Sequence, residues 1–310
     1  GSVWPPIRAK EAWRQGVHVI AITDHIEYQP HKDDLPTKHN RPYELLTGES
    51  ASRDILLIRG AEITRDTPPG HFNALFLKDA AALDQPDLME VFRRAIEQGA
   101  FLFWNHPGWQ GPEKGKWGDV QTALYEKKWL HGIEICNGES YYEEAHGWAL
   151  EKNLTMVGNT DIHEPDLKKQ NTAADNRTCT LVFAKEKTLP AVEEALRAGR
   201  TLVWYKDQLI GREEWLRPMF DASVEVLPPH LRVKNAVFVH IRNRSEVNIQ
   251  LERTGGSGPA KLVLPAGTVS LVKIGAADPT KPIQLEYTAV NFLVAPKKAL
   301  TVTLTIPGKE

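Results

Sequence analysis

Seven side chains of types that bind metal ions or move protons stand at comparable places in this 310-residue sequence: Asp24, His25, Glu62, His71, His106, Asp161 and His163. Each follows or opens an apolar run. Val19-Ile20-Ala21-Ile22 leads through Thr23 into Asp24-His25, and Ile55-Leu56-Leu57-Ile58 leads into Gly60-Ala61-Glu62. Gly70-His71 opens Phe72 to Leu77, and the run Ala100 to Trp104 leads into Asn105-His106-Pro107. Leu154 to Val157 leads through Gly158-Asn159-Thr160 into Asp161-Ile162-His163. Taken singly, each has a plain explanation. Asp24, Glu62 or Asp161 could cap a helix, His71 could sit on a turn, and Glu134, between Ile133 and Ile135, could be salt-bridged. Taken together they are the donor set of a divalent cation, since imidazole and carboxylate suit Zn, Mn or Fe. Without ions, so many polar groups gathered at one sheet edge would each cost several kcal/mol to desolvate. Asp161 and His163 are two apart, so an extended chain would point both to one face.

The elements that must position these residues follow from the same runs. A continuous stretch of Val, Ile, Leu and Ala bounded by polar residues reads as a buried parallel strand. Strands are expected near residues 17, 55, 100, 132, 154, 178 and 201, with a further one over 72–77. Helices are expected over 7–15, 86–98, 119–130, 139–152 and 190–197. The second of these is the clearest, because Leu88, Val91, Phe92, Ala95 and Ile96 form one apolar stripe that Gly99 ends. Alternating strands and helices predict an α/β fold with the chemistry at the C-terminal strand ends. So many units favour a closed or nearly closed barrel. An open doubly wound sheet is the alternative, less favoured because the chemical residues are spread over many strand ends. Residues 26–50 read as an irregular loop with some helix, and 107–118 and 164–177 as loops, the former carrying Trp109 and Trp117.

The texture changes near Arg217-Pro218. All nine Trp and nine of the eleven His precede it. Residues 1–217 carry a net charge of −6 and residues 218–310 carry +4. Short runs such as Val237 to Ile241, Val247 to Leu251, Lys261 to Leu264, Val269 to Val272 and Leu300 to Leu304 predict a C-terminal β-sandwich without chemistry of its own. The expected division is therefore 1–217 and 218–310. An overall charge of −2 offers no footprint for nucleic acid. No run reaches the ~18 apolar residues that would suggest a membrane span. Two cysteines, Cys136 and Cys179, build neither a disulfide framework nor a Cys-type zinc site.

At the residues named first, the chain resembles the PHP (polymerase and histidinol phosphatase) family of metal-dependent phosphoesterases. Thr23-Asp24-His25, Gly60-Ala61-Glu62, Gly70-His71-Phe72-Asn73, Asn105-His106-Pro107 and Asp161-Ile162-His163 match its motifs in order, over roughly residues 3–205. The resemblance implies a distorted seven-stranded β/α (TIM-like) barrel with up to three metal ions at its strand ends. It implies metal ligation by His25, Glu62, His71, His106, Asp161 and His163. In that assignment Glu62 bridges, His71 and His106 serve one ion, and His25 and His163 serve another. Asp161 would serve an ion shared with the family's opening His-x-His strand. That strand has no counterpart from Gly1 onward, so fewer ions and weaker turnover are expected of this sequence as it stands. The implied activity is hydrolysis of a small phosphorylated substrate by a metal-activated water, with Glu62 and Asp161 catalytic. Arg177 is the candidate phosphate fork, His31 and Lys32 are candidate substrate contacts, and Asp24 and Glu134 are candidates to support the ligands from behind. Two other readings compete: a barrel without turnover that binds ligands together with its sandwich, and a hydrolase of another ester or amide on the same metals. Substrate identity and oligomeric state are left open by the residues.

Overall fold

The protein is described by a computed structural model covering residues 3–29, 38–166 and 176–309. The first compact unit holds the residues up to Val203 apart from Asn176, and the second runs from Trp204 onward.

In the first unit, helix α1 (Pro5–Arg14) opens on two prolines, whose fixed φ suits the first turn and whose absent N–H would be unpaired there in any case. It leads to β1 (Val19–Ile22), α2 (Arg41–Ser52), β2 (Leu56–Ile63) and β3 (Phe72–Leu75). Then follow α3 (Leu88–Glu97), β4 (Phe101–Trp104), α4 (Asp119–Glu126) and β5 (Gly132–Asn137). The short β6 (Ser140–Tyr141), α5 (Glu143–Glu151), β7 (Thr155–Asn159), β8 (Cys179–Val182), α6 (Leu189–Arg197) and β9 (Thr201–Tyr205) complete the series. Helix α3 starts where the Asp87 carboxylate accepts the Glu90 N–H at 2.8 Å, and its stripe buries Val91, Phe92 and Ala95. Ile58, Leu75, Phe101, Phe103 and Val157 of the sheet pack with Val192 and Leu196 of α6. Ala9 of α1 and Leu46 of α2 pack on Leu57. Each of the Val, Leu, Ile and Phe side chains contributes about 1.5–3 kcal/mol by leaving water.

The strand pairings correct the expected all-parallel barrel. Strands β1 and β2 pair in parallel, but β3 is antiparallel to both β2 and β4. Parallel pairing resumes from β4 to β5 and from β5 to β7. The sheet is mixed because β3 returns directly beside β2 instead of crossing over through a helix. Among the described residues no hydrogen-bonded pairing joins β7 back to β1, so the pairings describe an open mixed sheet and not a closed TIM-like barrel.

In the second unit, β10 (Gln208–Gly211) and α7 (Glu213–Ser223) precede β11 (Val224–Val226), β12 (Leu231–Val233), β13 (Ala236–Asn243) and β14 (Ile249–Gly256). Then come β15 (Lys261–Leu264), β16 (Val269–Gly275), β17 (Ile283–Ala295) and β18 (Lys298–Ile306). Strand β13 pairs with β11, β12 and β16, while β17 pairs with β14, β18 and β10. Burial alternates along β15, β16 and β18, the mark of strands with one face in a core. The change of composition at Arg217-Pro218 falls inside α7, not in a linker. Composition follows residue usage, whereas the compact unit follows packing, and α7 packs on β10 and β17.

Candidate metal centre

Glu62 is the centre of the arrangement. It lies near the end of β2, only 5% exposed, and its neighbours come from adjacent strand ends. His25 continues the β1–β2 register as a parallel bridge partner of Glu62, since the Glu62 N–H donates to the Asp24 carbonyl at 3.1 Å and the Ile26 N–H to the Glu62 carbonyl at 2.9 Å. His71 immediately precedes β3, which runs antiparallel to β2 with Asn73 opposite Glu62. His106 follows β4, and the Asn105 N–H donates to the His71 carbonyl at 2.9 Å, fixing the two segments together. Backbone pairing alone thus delivers these side chains to one edge.

One oxygen, Glu62 Oε1, lies 2.8 Å from His71 Nδ1 and 3.4 Å from His25 Nδ1. The Thr64 hydroxyl donates to it at 3.2 Å and lies 2.6 Å from His25 Nδ1. Burial pushes the Glu62 carboxyl up, but the imidazoles of His25 and His71 outweigh it and hold the group at about 2. Glu62 in turn raises His25 against its burial, helped by the charges of Asp161 and Asp24. Burial pushes His106 down, with Glu62 and Asp161 opposing.

Glu62, His71 and His106 each offer a ligand atom, all within 4.8 Å of one another. Among the described residues the buried His106 Nδ1 has no hydrogen-bond partner, and the buried His71 Nδ1 faces Glu62 Oε1 at 2.8 Å out of hydrogen-bond alignment. Orphaned buried nitrogens are rare in native proteins and call for an explanation. Two imidazole nitrogens and a carboxylate converging on one point fit a divalent cation, whose bonds to such atoms are ~2.0–2.2 Å.

His106 adopts φ 24°, in the left-handed region that non-glycine residues seldom occupy. Glu134, on β5, holds it there: its carboxylate accepts the His106 N–H at 2.6 Å and the side-chain amides of Asn159 at 2.7 Å and Asn137 at 3.1 Å. No salt bridge to Glu134 occurs among the described residues. Burial pushes its carboxyl up to about 8, with those three donors opposing.

Asp161 and His163 do not lie on a strand as expected. Strand β7 ends at Asn159, and Asp161 takes φ 49°. Strand alternation therefore does not orient the pair. His163 Nδ1 instead donates to the Asp161 carbonyl at 2.8 Å and lies 3.8 Å from Asp161 Oδ1, and its ring centroid is 6.0 Å from that of His25. Both residues are exposed, and they stand outside the tight group of three. Asp24 is exposed and contributes its carbonyl and its charge.

The segment that carries Asp161 and His163 is clamped by α1, a feature absent from the motifs. Arg8 donates to the carbonyls of Ile162 at 2.8 Å, His163 at 3.0 Å and Glu164 at 3.0 Å, and pairs with Glu11 at 2.7 Å. The fully buried Glu11 accepts the Asp166 N–H at 2.6 Å. Arg177, the expected phosphate fork, belongs to this clamp, since its guanidinium pairs with Asp166 at 2.5 Å and is mostly buried. A one-turn Arg8–Glu11 spacing in the sequence signals an ordinary helix surface pair and nothing of this reach. His31 and Lys32 lie outside the described residues.

Comparison with known proteins follows this geometry. A two-domain protein of Bacteroides vulgatus, described as containing a predicted PHP-like metal-dependent phosphoesterase, superposes with a TM-score of 0.92 at 42% identity, over 99% of this chain and 91% of that one. A candidate metal-dependent phosphoesterase of Bifidobacterium adolescentis aligns with a TM-score of 0.45 at 14% identity, over 63% of this chain and 91% of that one. Residues 224–305 match the Ig-like domain family DUF5001. No curated protein matches the chain. The chain is thus a two-domain protein with a mixed α/β unit followed by an Ig-like all-β domain, and it belongs to the PHP-like metal-dependent phosphoesterases.

Proposed function

We propose that the chain hydrolyses phosphate esters at the edge where Glu62, His71 and His106 meet. One observation supports this above the others: a buried carboxylate and two imidazole nitrogens converge, and the buried His106 Nδ1 has no hydrogen-bond partner among the described residues. A divalent ion of the Zn, Mn or Fe kind, bound there, would neutralise charge on the phosphoryl oxygens and lower the pKa of a water. The protein's share is positioning. Glu62 presents one oxygen between His25 and His71, the arrangement expected of a carboxylate shared by two ions. Glu134 fixes the backbone of His106, and the α1 clamp fixes the segment of Asp161 and His163, which with His25 form the proposed second ligand group. In the reaction a water oxygen bonds to phosphorus, the ester P–O bond breaks, and the alcohol leaves with a proton from that water. The mixed sheet is proposed to be the first part of the family's distorted barrel, which would gather the ligand-bearing strand ends on one rim.

The test combines metal analysis with assay of 4-nitrophenyl phosphate and bis(4-nitrophenyl) phosphate in the presence of Mn²⁺, Zn²⁺ or Fe²⁺. Turnover that follows metal content and is lost on chelation is expected. Bound metal without turnover of either ester would overturn the phosphoesterase reading in favour of a binding role. Absence of metal binding would overturn both.

A further inference from the structure

We propose that Trp109 forms a subsite beside the metal centre for a ring carried by the leaving group, so that preferred substrates are phosphoesters of ring-bearing alcohols and not open-chain ones. This rests on the phosphoesterase reading above.

The indole of Trp109 lies 5.6 Å from the His71 ring and 5.7 Å from the His106 ring, centroid to centroid, and is 51% exposed. The neighbouring Trp117 behaves differently, packing among Trp104, Trp148 and Tyr125. Trp109 faces the two candidate ligands with much of its apolar surface left in water. On the His25 side, the 64% exposed Tyr28 stands edge-on at 5.8 Å. An exposed ring gains free energy when a flat partner covers it, through area removed from water and through ring stacking.

The backbone of the loop that presents Trp109 is held by its own hydrogen bonds and close packing. The Trp109 N–H donates to the His106 carbonyl at 3.1 Å, the Gly111 N–H to Gly108 at 2.9 Å, and the Gly115 N–H to Gly111 at 3.1 Å. Gly115 packs so closely that a Cβ there would meet the Pro107 carbonyl oxygen at 2.1 Å. A Cβ at Gly108 would meet the Tyr142 ring at 2.9 Å. A ring carried on a fixed backbone has less entropy to lose when a ligand stacks on it. The shared chemistry is a flat apolar ring face, supplied by an aryl group or by the C–H face of a sugar.

The experiment measures kcat/KM of the metal-loaded protein, Trp109→Ala and Trp109→Phe on phenyl phosphate, glucose 1-phosphate and glycerol 3-phosphate, with metal content recorded for each. Trp109→Ala is expected to lower the ratio of ring to open-chain turnover roughly ten-fold, the scale of one ring contact, and Trp109→Phe to restore most of it. Whether the loss falls on phenyl or glucosyl ester identifies the ring. Equal losses on all three esters, or none, would overturn the proposal. Should the wild type turn over no ester, the phosphoesterase reading fails, and titration calorimetry with phenylphosphonate and methylphosphonate reads the subsite separately. A phenyl preference that Trp109→Ala abolishes supports it; equal affinities, or no binding of either, overturn it.

Discussion

Arg8 offers the sharpest test of how the segment of Asp161 and His163 is held. Arg8→Ala deletes three hydrogen bonds to consecutive carbonyls and leaves the Glu11 carboxylate without its cation and with no solvent access. Removing one partner of a buried ion pair costs about 3–5 kcal/mol, a large share of the ~5–15 kcal/mol by which a native protein is stable. That global loss would obscure the local one, so the informative variant is Arg8→Met combined with Glu11→Gln. It leaves no buried charge unpaired, and the new amide oxygen can still accept the Asp166 N–H. Most of the stability should return, while the carbonyls of Ile162, His163 and Glu164 stay without their clamp. If the lost bonds hold the segment by about 2 kcal/mol, amide exchange over residues 161–166 should quicken roughly 30-fold. Mass spectrometry of exchanged peptides measures this, and elemental analysis counts the ions. Metal held through Asp161 and His163 should weaken, and metal at Glu62, His71 and His106 should remain. Wild-type exchange together with wild-type metal stoichiometry in the double variant would refute the positioning argument.

Three further outcomes are expected. Glu62→Gln should remove more bound metal and more turnover than His71→Ala or His106→Ala, because a bridging carboxylate serves two ions at roughly 3.5–4 Å separation and a terminal imidazole serves one; unchanged metal content with a lowered Tm would count against bridging. Gly115→Ala should cost about 1–3 kcal/mol in urea unfolding, since its Cβ would strike the Pro107 carbonyl, and a neutral result would show that the Trp109 loop yields readily. His131 is pushed down to about 4 by burial and by the charge of Arg197, and its Nδ1 accepts the Leu102 N–H at 3.0 Å. With its folded pKa below the unfolded value of 6.5, its contribution to stability is present above pH 6.5 and is lost as pH falls toward 4. After allowance for its partial exposure, about 1 kcal/mol should disappear between pH 7 and pH 5. His131→Asn should flatten that part of the pH profile, and an unchanged profile would assign the loss to other groups.

The strands that carry the chemistry were legible because their signal is local. The runs before Asp24, Glu62 and His106 are apolar over four or more residues, the one before Asp161 is broken only by Thr155, and such a run has few ways to escape water except as a buried strand. Helix α3 was equally plain, since its stripe and its end signals all lie within thirteen residues, 87–99. The convergence of Glu62, His71 and His106 followed from strand ends sharing an edge, whichever way each strand runs. Partners distant in sequence were not legible. Nothing in Phe72–Leu75 says that it pairs antiparallel on both sides, and the long β17, interrupted by Gln, Glu, Thr and Asn, carried too mixed a pattern to be read as a strand. Arg177 reads as a candidate phosphate fork, and nothing in its own stretch of sequence shows that it pairs with Asp166. Arg8 lies 154 residues from Ile162, and no periodicity in either segment records that contact. Residue type and hydrophobic period are properties of a short window of chain. Pairing, register and the left-handed turns at His106 and Asp161 are imposed by neighbours that only the folded backbone brings near, and the energy that holds them is spent in contacts the chain cannot make until it has closed on itself.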